Sequence, residues 1–304
     1  MRAVRYERIG GPEVLGVGEM EEPHAGPGEV RVRVRAAGIS PVDVNLRAGH
    51  SPSAAGLRLP HVPGVDAAGV VDEVGEGADA SEGDEVFGYV DVARLGGATA
   101  QYAVLRRWSA RPASMPWAEA GAAGTGIETA TRALDRLGVT AGATLLIDGA
   151  AGGVGSIAVQ LAVARGARVL GTARPESHDF LAALGATPVP RLPTSLGPVD
   201  LALDVAGAGS LPELIRLTGT PAGVLTIADF SGPALGVPVS VGALGGEPEG
   251  THGLAAAAVL HEQGLFRVPI QQVYAMSAAP QAHADFETGP RRGKLVIEVG
   301  PRLH

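Results

Sequence analysis

Valine alternates with arginine through EVRVRVRAAG, the stretch that begins at Glu29. Period two describes a strand with one buried and one wet face, as in an antiparallel sheet. From there to Val104, short apolar runs such as VFGYV (86–90) and QYAVL (101–105) are separated by GEGAD, EGDE and RLGGA, so turns punctuate the chain. This part predicts a mostly-β lobe. The pattern changes near Trp117. AEAGAAGTGIETATRALDRLG (118–138) is alanine-rich with apolar residues at helical spacing, and TLLID (144–148), a helix from Gly155 and ARVLGTA (167–173) follow. Strand, helix, strand is the signature of a parallel sheet. DLALDVAG (200–207) and GVLTIAD (223–229) predict further buried strands, and prolines in ATPVPRLPTSLGP (186–198) shorten or remove any helix between Gly185 and Asp200. A second switch comes near Gly264, where FRVPIQQVYAMS and GKLVIEVG predict strands around a short helix, QAHADFETG. The chain is expected to return there to its first lobe. The expected fold class is α/β plus β: residues 1–119 and 262–304 form one lobe, with a doubly wound parallel-sheet lobe, 120–261, inserted between them.

Composition narrows the chemistry. A chain of 304 residues that is 45% hydrophobic has material for two domains. A net charge of −8 without a basic block offers no footprint for nucleic acid or anionic membrane, so the expected partner is a small molecule. MRAVRYERIGGP lacks an apolar leader core and no apolar run approaches the ~18 residues of a membrane span, which places the expected location in the cytoplasm. The absence of cysteine excludes disulfides, thiol nucleophiles and thiolate metal sites. The eight histidines include His50 and His61 in one plausible substrate region, but none stands at a metal-binding spacing, so no metal is expected.

The segment LLIDGAAGGVGSIAVQLA (145–162) holds the densest signal. Ala150, Gly152 and Gly155 fall on G-x-G-x-x-G spacing, with alanine in the first position and Gly149 and Gly153 adding freedom. Gly152 lets backbone approach a pyrophosphate, Gly155 lets helix pack on strand, and the first helical turn, Gly153, Val154 and Gly155, presents N–H groups to phosphate. At the end of the next strand an NAD site usually carries an acidic residue. Here Thr172 and Arg174 are followed by Ser177 and His178, a set that accepts a 2′-phosphate, so NADPH is the expected cofactor. The alternative is that Arg174 is a solvated residue paired with Glu176.

With these residues in place, the sequence resembles the medium-chain dehydrogenase/reductase superfamily, in its zinc-free quinone oxidoreductase and enoyl reductase branch. The likeness runs through LPHVPGVDAAGVVDEVGEGADASEGDEVFG (59–88), GGATAQYAVL (96–105), DRLGVTAGATLLIDGAAGGVG (135–155) and RRGKLVIEVG (291–300). It implies a GroES-like substrate lobe made from both chain ends, an inserted Rossmann lobe, an active site in the cleft, and a homodimer joined through the Rossmann sheet, with LPELIRLTGTPAGVLTIADF (211–230) as its edge. Zinc-dependent relatives carry a histidine in the segment where this chain has GVD with Asp66, and use cysteine ligands that it lacks. The implied activity is hydride transfer from NADPH to an enone, quinone or enoyl thioester, which needs no Lewis acid to polarise an isolated carbonyl.

The resemblance also sets the site residues. Ser40 stands where the family commonly has asparagine, and a tyrosine acid of enoyl reductases is replaced near Ser51. Ser40, Asp43, Asn45 and His50 remain as polar candidates near the nicotinamide, His50 as a proton donor; alternatively Asp43 caps a helix starting at Val44 and His50 is a loop residue. Thr129 is expected at the cofactor, Arg191 beside Leu192 at a phosphate, and the backbone of Ile227, Ala228 and Asp229 at the carboxamide. Gly293 and Lys294, with Arg292, match the family's terminal strand entry, and Arg292 is expected to reach the cofactor. Phe230, Tyr89 and Trp108 are the available aromatics. The missing asparagine and tyrosine leave two alternatives open: a non-redox cyclisation, addition or elimination on the same scaffold, and a non-catalytic NADPH-binding protein.

Overall fold

The computed structural model describes residues 1–91, 96–190, 196–289 and 292–300. The chain divides into two compact units, one of Met1–Thr125 with Leu254–Glu262 and the chain from Arg267 on, the other of Gly126–Gly253 with Gln263–Phe266.

In chain order the first unit contains β1 (Arg2–Arg5), β2 (Gly16–Glu19), β3 (Val30–Ile39), α1 (Pro41–Ala48), β4 (Asp66–Val74), β5 (Glu85–Tyr89), β6 (Tyr102–Leu105), β7 (Arg107–Ala110) and α2 (Trp117–Gly121). Strand β3 is the Val/Arg alternation. Val30, Val32 and Val34 are buried among Val71, Val86 and Leu105, while Arg33 is exposed. Arg31 lies half-covered and grips Asp72 with two parallel bonds, 3.0 and 3.2 Å. From Ala36 onward both faces of β3 are buried, because α2 lies against it. The approach is close enough to need glycine: a Cβ on Gly38 would stand 2.7 Å from Ala122 Cα, and one on Gly121 would stand 2.5 Å from Ala36 O. The AGAAGTG run of small residues is therefore a contact surface.

Helix α3 (Gly124–Arg136) leads into the second unit, which continues with β8 (Thr144–Asp148), α4 (Gly153–Ala164), β9 (Arg168–Thr172), α5 (His178–Ala183), β10 (Thr187–Val189), β11 (Leu201–Asp204), α6 (Leu211–Thr218) and β12 (Val224–Thr226). Its five described strands are all parallel, in the order β10-β9-β8-β11-β12. This is a Rossmann order, and its direction of growth reverses between β8 and β11. Strand β10 is absent from the sequence reading. It lies at the sheet edge, where Pro188 is tolerated because an edge strand has one row of N–H groups without a partner strand. At the other edge, β12 is covered by its own chain: Thr226 pairs with Val239, with Thr226 N to Pro238 O at 3.1 Å and Ser240 N to Thr226 O at 2.8 Å.

Helix α7 (His252–Glu262) spans the division, and from Leu254 it belongs with the first unit, where His261 meets Ser114 at 3.1 Å. The chain then adds β13 (Ile270–Ala275), α8 (Ala279–Thr288) and β14 (Lys294–Glu298). Strand β14 pairs antiparallel with β3 and parallel with β13, which completes the sheet order β13-β14-β3-β4-β5-β7, with β6 also on β3. Among the described residues no helix is long and apolar enough to cross a membrane.

Candidate functional site

In the second unit the carboxyl ends of β8 and β11 lie side by side at the reversal point, the place where open α/β sheets bind ligands. Gly149 follows β8 with φ +86°, a left-handed turn that favours glycine. The first helical bond of α4 runs from Ser156 N to Gly152 O at 2.9 Å, so the amides of Gly153, Val154 and Gly155 have no acceptor within the helix and face out of its N-terminus. A Cβ on Gly155 would lie 2.4 Å from Gly149 O and 2.8 Å from Ala150 Cα, so that glycine is required by packing. A Cβ on Gly152 would meet only Gly149 O, at 3.4 Å. The fold does not require glycine there.

The strand ends are stitched by groups that the sequence reading did not single out. Buried Asp148 accepts the Ser210 hydroxyl at 2.6 Å and the Thr172 hydroxyl, and Thr172 Oγ1 in turn accepts Gly149 N at 3.0 Å. Asp204, fully buried, accepts the amides of Ala206 and Gly207 at 3.0 and 2.9 Å and the Thr226 hydroxyl at 2.7 Å. Thr226 Oγ1 accepts Ala228 N and Asp229 N at 3.1 and 2.9 Å. Thr172 is thus a brace of the turn, and Ala228 retains its carbonyl, its amide being taken.

The other expected cofactor contacts divide. Arg174 is exposed beyond β9, 3.4 Å from Glu176, and His178 lies 3.3 Å from Ala173 O through Nε2. Thr129 belongs to a largely buried network instead: its hydroxyl donates to Glu128 at 3.2 Å and accepts from Arg132 at 3.3 Å. Arg132 also donates to Glu128 at 2.8 Å and meets Ser240 and Glu247, so the glycine-rich segment 240–250 is tied to α3. Arg292 donates its amide to Gln271 at 2.8 Å. Arg191 lies outside the described residues.

The first unit holds a second polar cluster at one end of its sheet, where β3 leaves and β4 and β14 begin. Helix α1 starts at Pro41, not Val44, and Ser40 is its N-cap; Asp43, three residues on, accepts Ser40 N at 2.8 Å and Gly64 N at 3.0 Å. Proline at the first helical position and this reciprocal bond specify an earlier start than Asp43 as cap implied. Ser40 Oγ donates to Asp66 at 3.0 Å, and the Lys294 ammonium donates to both Ser40 Oγ and Asp66 at 2.9 Å. The other Asp66 oxygen accepts the amide and hydroxyl of Thr125, both at 2.6 Å. Burial pushes the Asp43 carboxyl up to about 7, with nearby Asp66 adding to the rise and the amides of Ser40 and Gly64 opposing it. Of the four polar candidates, Ser40 and Asp43 sit in this cluster, whereas Asn45 and His50 are exposed further along α1 and beyond its end. Asp66, Thr125 and Lys294 complete it. Their signal in the sequence was available for one of them: Lys294 is the only lysine in the chain.

Residues 26–114 match the alcohol dehydrogenase GroES-like domain and residues 182–297 the zinc-binding dehydrogenase family. Quinone oxidoreductase of Sus scrofa is 30% identical over 98% of this chain and 97% of its own. The chain belongs to the quinone oxidoreductase family, within the medium-chain dehydrogenases/reductases. NADPH-dependent alkenal/one oxidoreductase of Arabidopsis thaliana is 33% identical over 77% of this chain and 67% of its own. The structure of the quinone oxidoreductase from Coxiella burnetii superposes with a TM-score of 0.88 at 27% identity, covering 99% of both chains. Membership makes this chain an oxidoreductase that works with a nicotinamide dinucleotide, and the turn at Gly149–Gly155 fits that group: open amides at a helix N-terminus and a glycine that packing does not demand.

Zinc does not fit. Among the described residues no three His, Cys, Asp or Glu side chains converge, and the carboxylate of Asp66 is engaged by an ammonium and a threonine. Chelators are expected to leave both the denaturation midpoint and the turnover rate unchanged. Asp66→Ala, which strands Lys294 without its counter-charge, is expected to lower stability by about 3–5 kcal/mol in urea denaturation.

Proposed function

We propose that this oxidoreductase is an NADPH-dependent, zinc-free reductase of a conjugated C=C bond or a quinone. The observation that carries the reading is the glycine turn of the second unit, with open amides at a helix N-terminus and a glycine at 152 that packing does not demand; separately, within the first unit, Lys294 rather than a metal neutralises Asp66. When bound, the reduced nicotinamide supplies a hydride. An enone or quinone can take that hydride without a Lewis acid, since the developing charge is delocalised onto oxygen, where hydrogen-bond donors meet it. In this reading the amides of Gly153, Val154 and Gly155 hold the pyrophosphate, and Asp148, Thr172, Asp204 and Thr226 brace the strand ends that carry the nicotinamide. The lack of a carboxylate at Thr172, Ala173 and Arg174 supports NADPH over NADH, with Arg174 exchanging Glu176 for the 2′-phosphate. The alkenal/one relative is named for the same cofactor.

Absorbance at 340 nm, followed with NADPH and with NADH over quinones, enones and enoyl thioesters, tests the reading. The expected result is NADPH oxidation with one acceptor class and a much slower rate with NADH; NADPH binding without oxidation by any acceptor sinks it. Arg174→Glu is expected to raise KM for NADPH about tenfold, the scale of one exposed charge-assisted contact to phosphate, and to leave KM for NADH unchanged. We further propose a homodimer. Because residues 237–240 cover β12, the pairing edge is that segment rather than β12 itself, and a mass of one chain by light scattering would exclude it.

A further inference from the structure

Away from the Ser40–Asp66 cluster, the first unit holds an exposed hydroxyl with a base behind it. Ser114 lies in the turn between β7 and α2, and its Oγ stands 3.1 Å from Nδ1 of His261, near the end of α7. The other ring nitrogen of His261 faces Glu119 of α2, Nε2 to Oε2 at 3.6 Å. That carboxylate oxygen is itself fixed, because it accepts Val268 N at 2.8 Å. Ser114, Glu119, His261 and Val268 all belong to the same unit. Exposure falls in the order that nucleophilic catalysis asks for: Ser114 is open to solvent, whereas the side chains of His261 and Glu119 are 10% and 20% exposed.

The carboxylate decides the tautomer. A proton on Nδ1 would leave the lone pair of Nε2 facing the carboxylate, whereas a proton on Nε2 points at Glu119 and frees Nδ1 to accept the Ser114 hydroxyl. The hydroxyl thus donates to a base whose charged form has its counter-charge in place. The turn that carries the serine is also held. Met115 N closes it on Pro112 O at 2.9 Å, and Arg111 donates to the carbonyls of Pro112, at 3.1 Å, and Met115, while its guanidinium stacks 4.1 Å over the Trp117 ring. The amides of Ala113 and Ser114, at the inner positions of the turn, take no part in the closing bond and are the donors available to an oxyanion. A contact that only anchored α7 would need neither a carboxylate behind the imidazole nor an exposed hydroxyl in front of it.

We propose that Ser114, His261 and Glu119 form a further catalytic site, which hydrolyses small activated carboxylic esters. The Ser114 oxygen bonds to the ester carbonyl carbon as its proton passes to His261 Nδ1, and the carbonyl electron pair moves onto oxygen. When that pair returns, the bond to the leaving oxygen breaks and the imidazolium gives that oxygen the proton. Water then adds to the acyl-serine and gives one proton to Nδ1; the bond between the acyl carbon and Ser114 Oγ breaks, and the same proton restores the serine hydroxyl. One ester and one water become one acid and one alcohol. Ser114 and His261 are catalytic residues here, while Glu119 acts through the imidazole and is a positioning residue. The reaction uses neither the dinucleotide nor the second unit, so it goes beyond the reductase reading and is tested apart from it.

The probe is para-nitrophenyl acetate, with the full chain and no dinucleotide. Release of para-nitrophenol above the spontaneous rate is expected, and Ser114→Ala and His261→Gln are each expected to lower kcat about 100-fold, the scale of one positioned base. Glu119→Gln keeps an acceptor for Val268 but not the charge, and is expected to lower kcat about tenfold with KM unchanged. Ser114 is exposed, so Ser114→Ala should unfold at the wild-type temperature and its lost rate reports the hydroxyl. A fluorophosphonate followed by peptide mass spectrometry reads the nucleophile without turnover: the adduct is expected on Ser114 in the wild type and absent in His261→Gln. Competing nucleophiles are few, since the chain has no cysteine and its one lysine is buried. Wild-type hydrolysis no faster than the spontaneous rate, hydrolysis that survives Ser114→Ala, or a Ser114 that the fluorophosphonate leaves unmodified overturns the proposal.

Discussion

Gly155→Ala is expected to lower both stability and dinucleotide affinity, whereas Gly152→Ala should lower affinity alone. Every near neighbour of a Cβ at position 155 is backbone, at 2.4 Å for Gly149 O, 2.8 Å for Ala150 Cα and 2.9 Å for Ala150 C. Backbone in a tight turn cannot rotate aside as a side chain can, so helix α4 must move away from the end of β8. Overpacking of this kind costs about 1–3 kcal/mol. The displacement also carries the amides of Gly153 and Val154 out of register with the pyrophosphate, and a loss of about 1.4 kcal/mol in those contacts is already tenfold in Kd. At position 152 the only neighbour stands at 3.4 Å, an ordinary contact, so thermal unfolding should be unchanged while a methyl group intrudes on the space left for phosphate. NADPH titration by fluorescence together with thermal denaturation separates the two. Unchanged affinity in Gly152→Ala would show that the turn does not hold a pyrophosphate.

Acidification below about pH 6.5 is expected to destabilise the protein by a net amount on the order of 4 kcal/mol by pH 3, through the two buried histidines. Burial depresses His61 to about 4, and burial followed by the nearby Arg47 guanidinium depresses His283 to about 3, both from an ordinary 6.5. A histidine held neutral in the folded state supports folding above its unfolded value, and that support is lost as pH falls from 6.5 toward the folded value. At about 1.4 kcal/mol per unit the two together account for roughly 8 kcal/mol. Asp43 acts in the opposite sense. Its folded value is raised from 3.8 to about 7, so its contribution is fully present below pH 3.8 and is lost as pH rises toward 7, which returns roughly 4 kcal/mol on acidification. His283→Leu provides the check, because the ring lies 1% exposed and neither nitrogen has a hydrogen-bond partner among the described residues. The variant is expected to be at least as stable as wild type at pH 7 and to show a shallower fall in urea midpoint between pH 6 and 4. An unchanged slope would place the acid sensitivity elsewhere.

Much of this fold is legible in one dimension because its signals are local. The period of EVRVRVRAAG, the apolar runs TLLID and DLALDVAG, and the glycine turn between a strand and a helix all rest on interactions within a few residues of one another. Strand β10 was not legible, since Pro188 within it and Pro190 just after it read locally as a break, and only its place at the sheet edge makes Pro188 harmless. Nor was the covering of β12 by residues 237–240, which follows from a return of the chain to Thr226.

The sequence by itself determined the two kinds of lobe, the family, the exclusion of thiolate chemistry and the position of the glycine turn between β8 and α4. Only the tertiary structure decided which polar residues work together. Ser40 meets Asp66 across 26 positions and Lys294 across 254, contacts set by the antiparallel pairing of β3 with β4 and β14 rather than by spacing along the chain. Asn45 and His50, near neighbours of Ser40 in sequence, are exposed instead: a helix turns each successive side chain by about 100° and only one face of α1 packs inward, which leaves Asn45 out, and His50 lies past the C-cap Gly49. The resemblance pointed to four candidates on one stretch of chain; the sheet brings two of them, Ser40 and Asp43, together with a lysine, an aspartate and a threonine from far away.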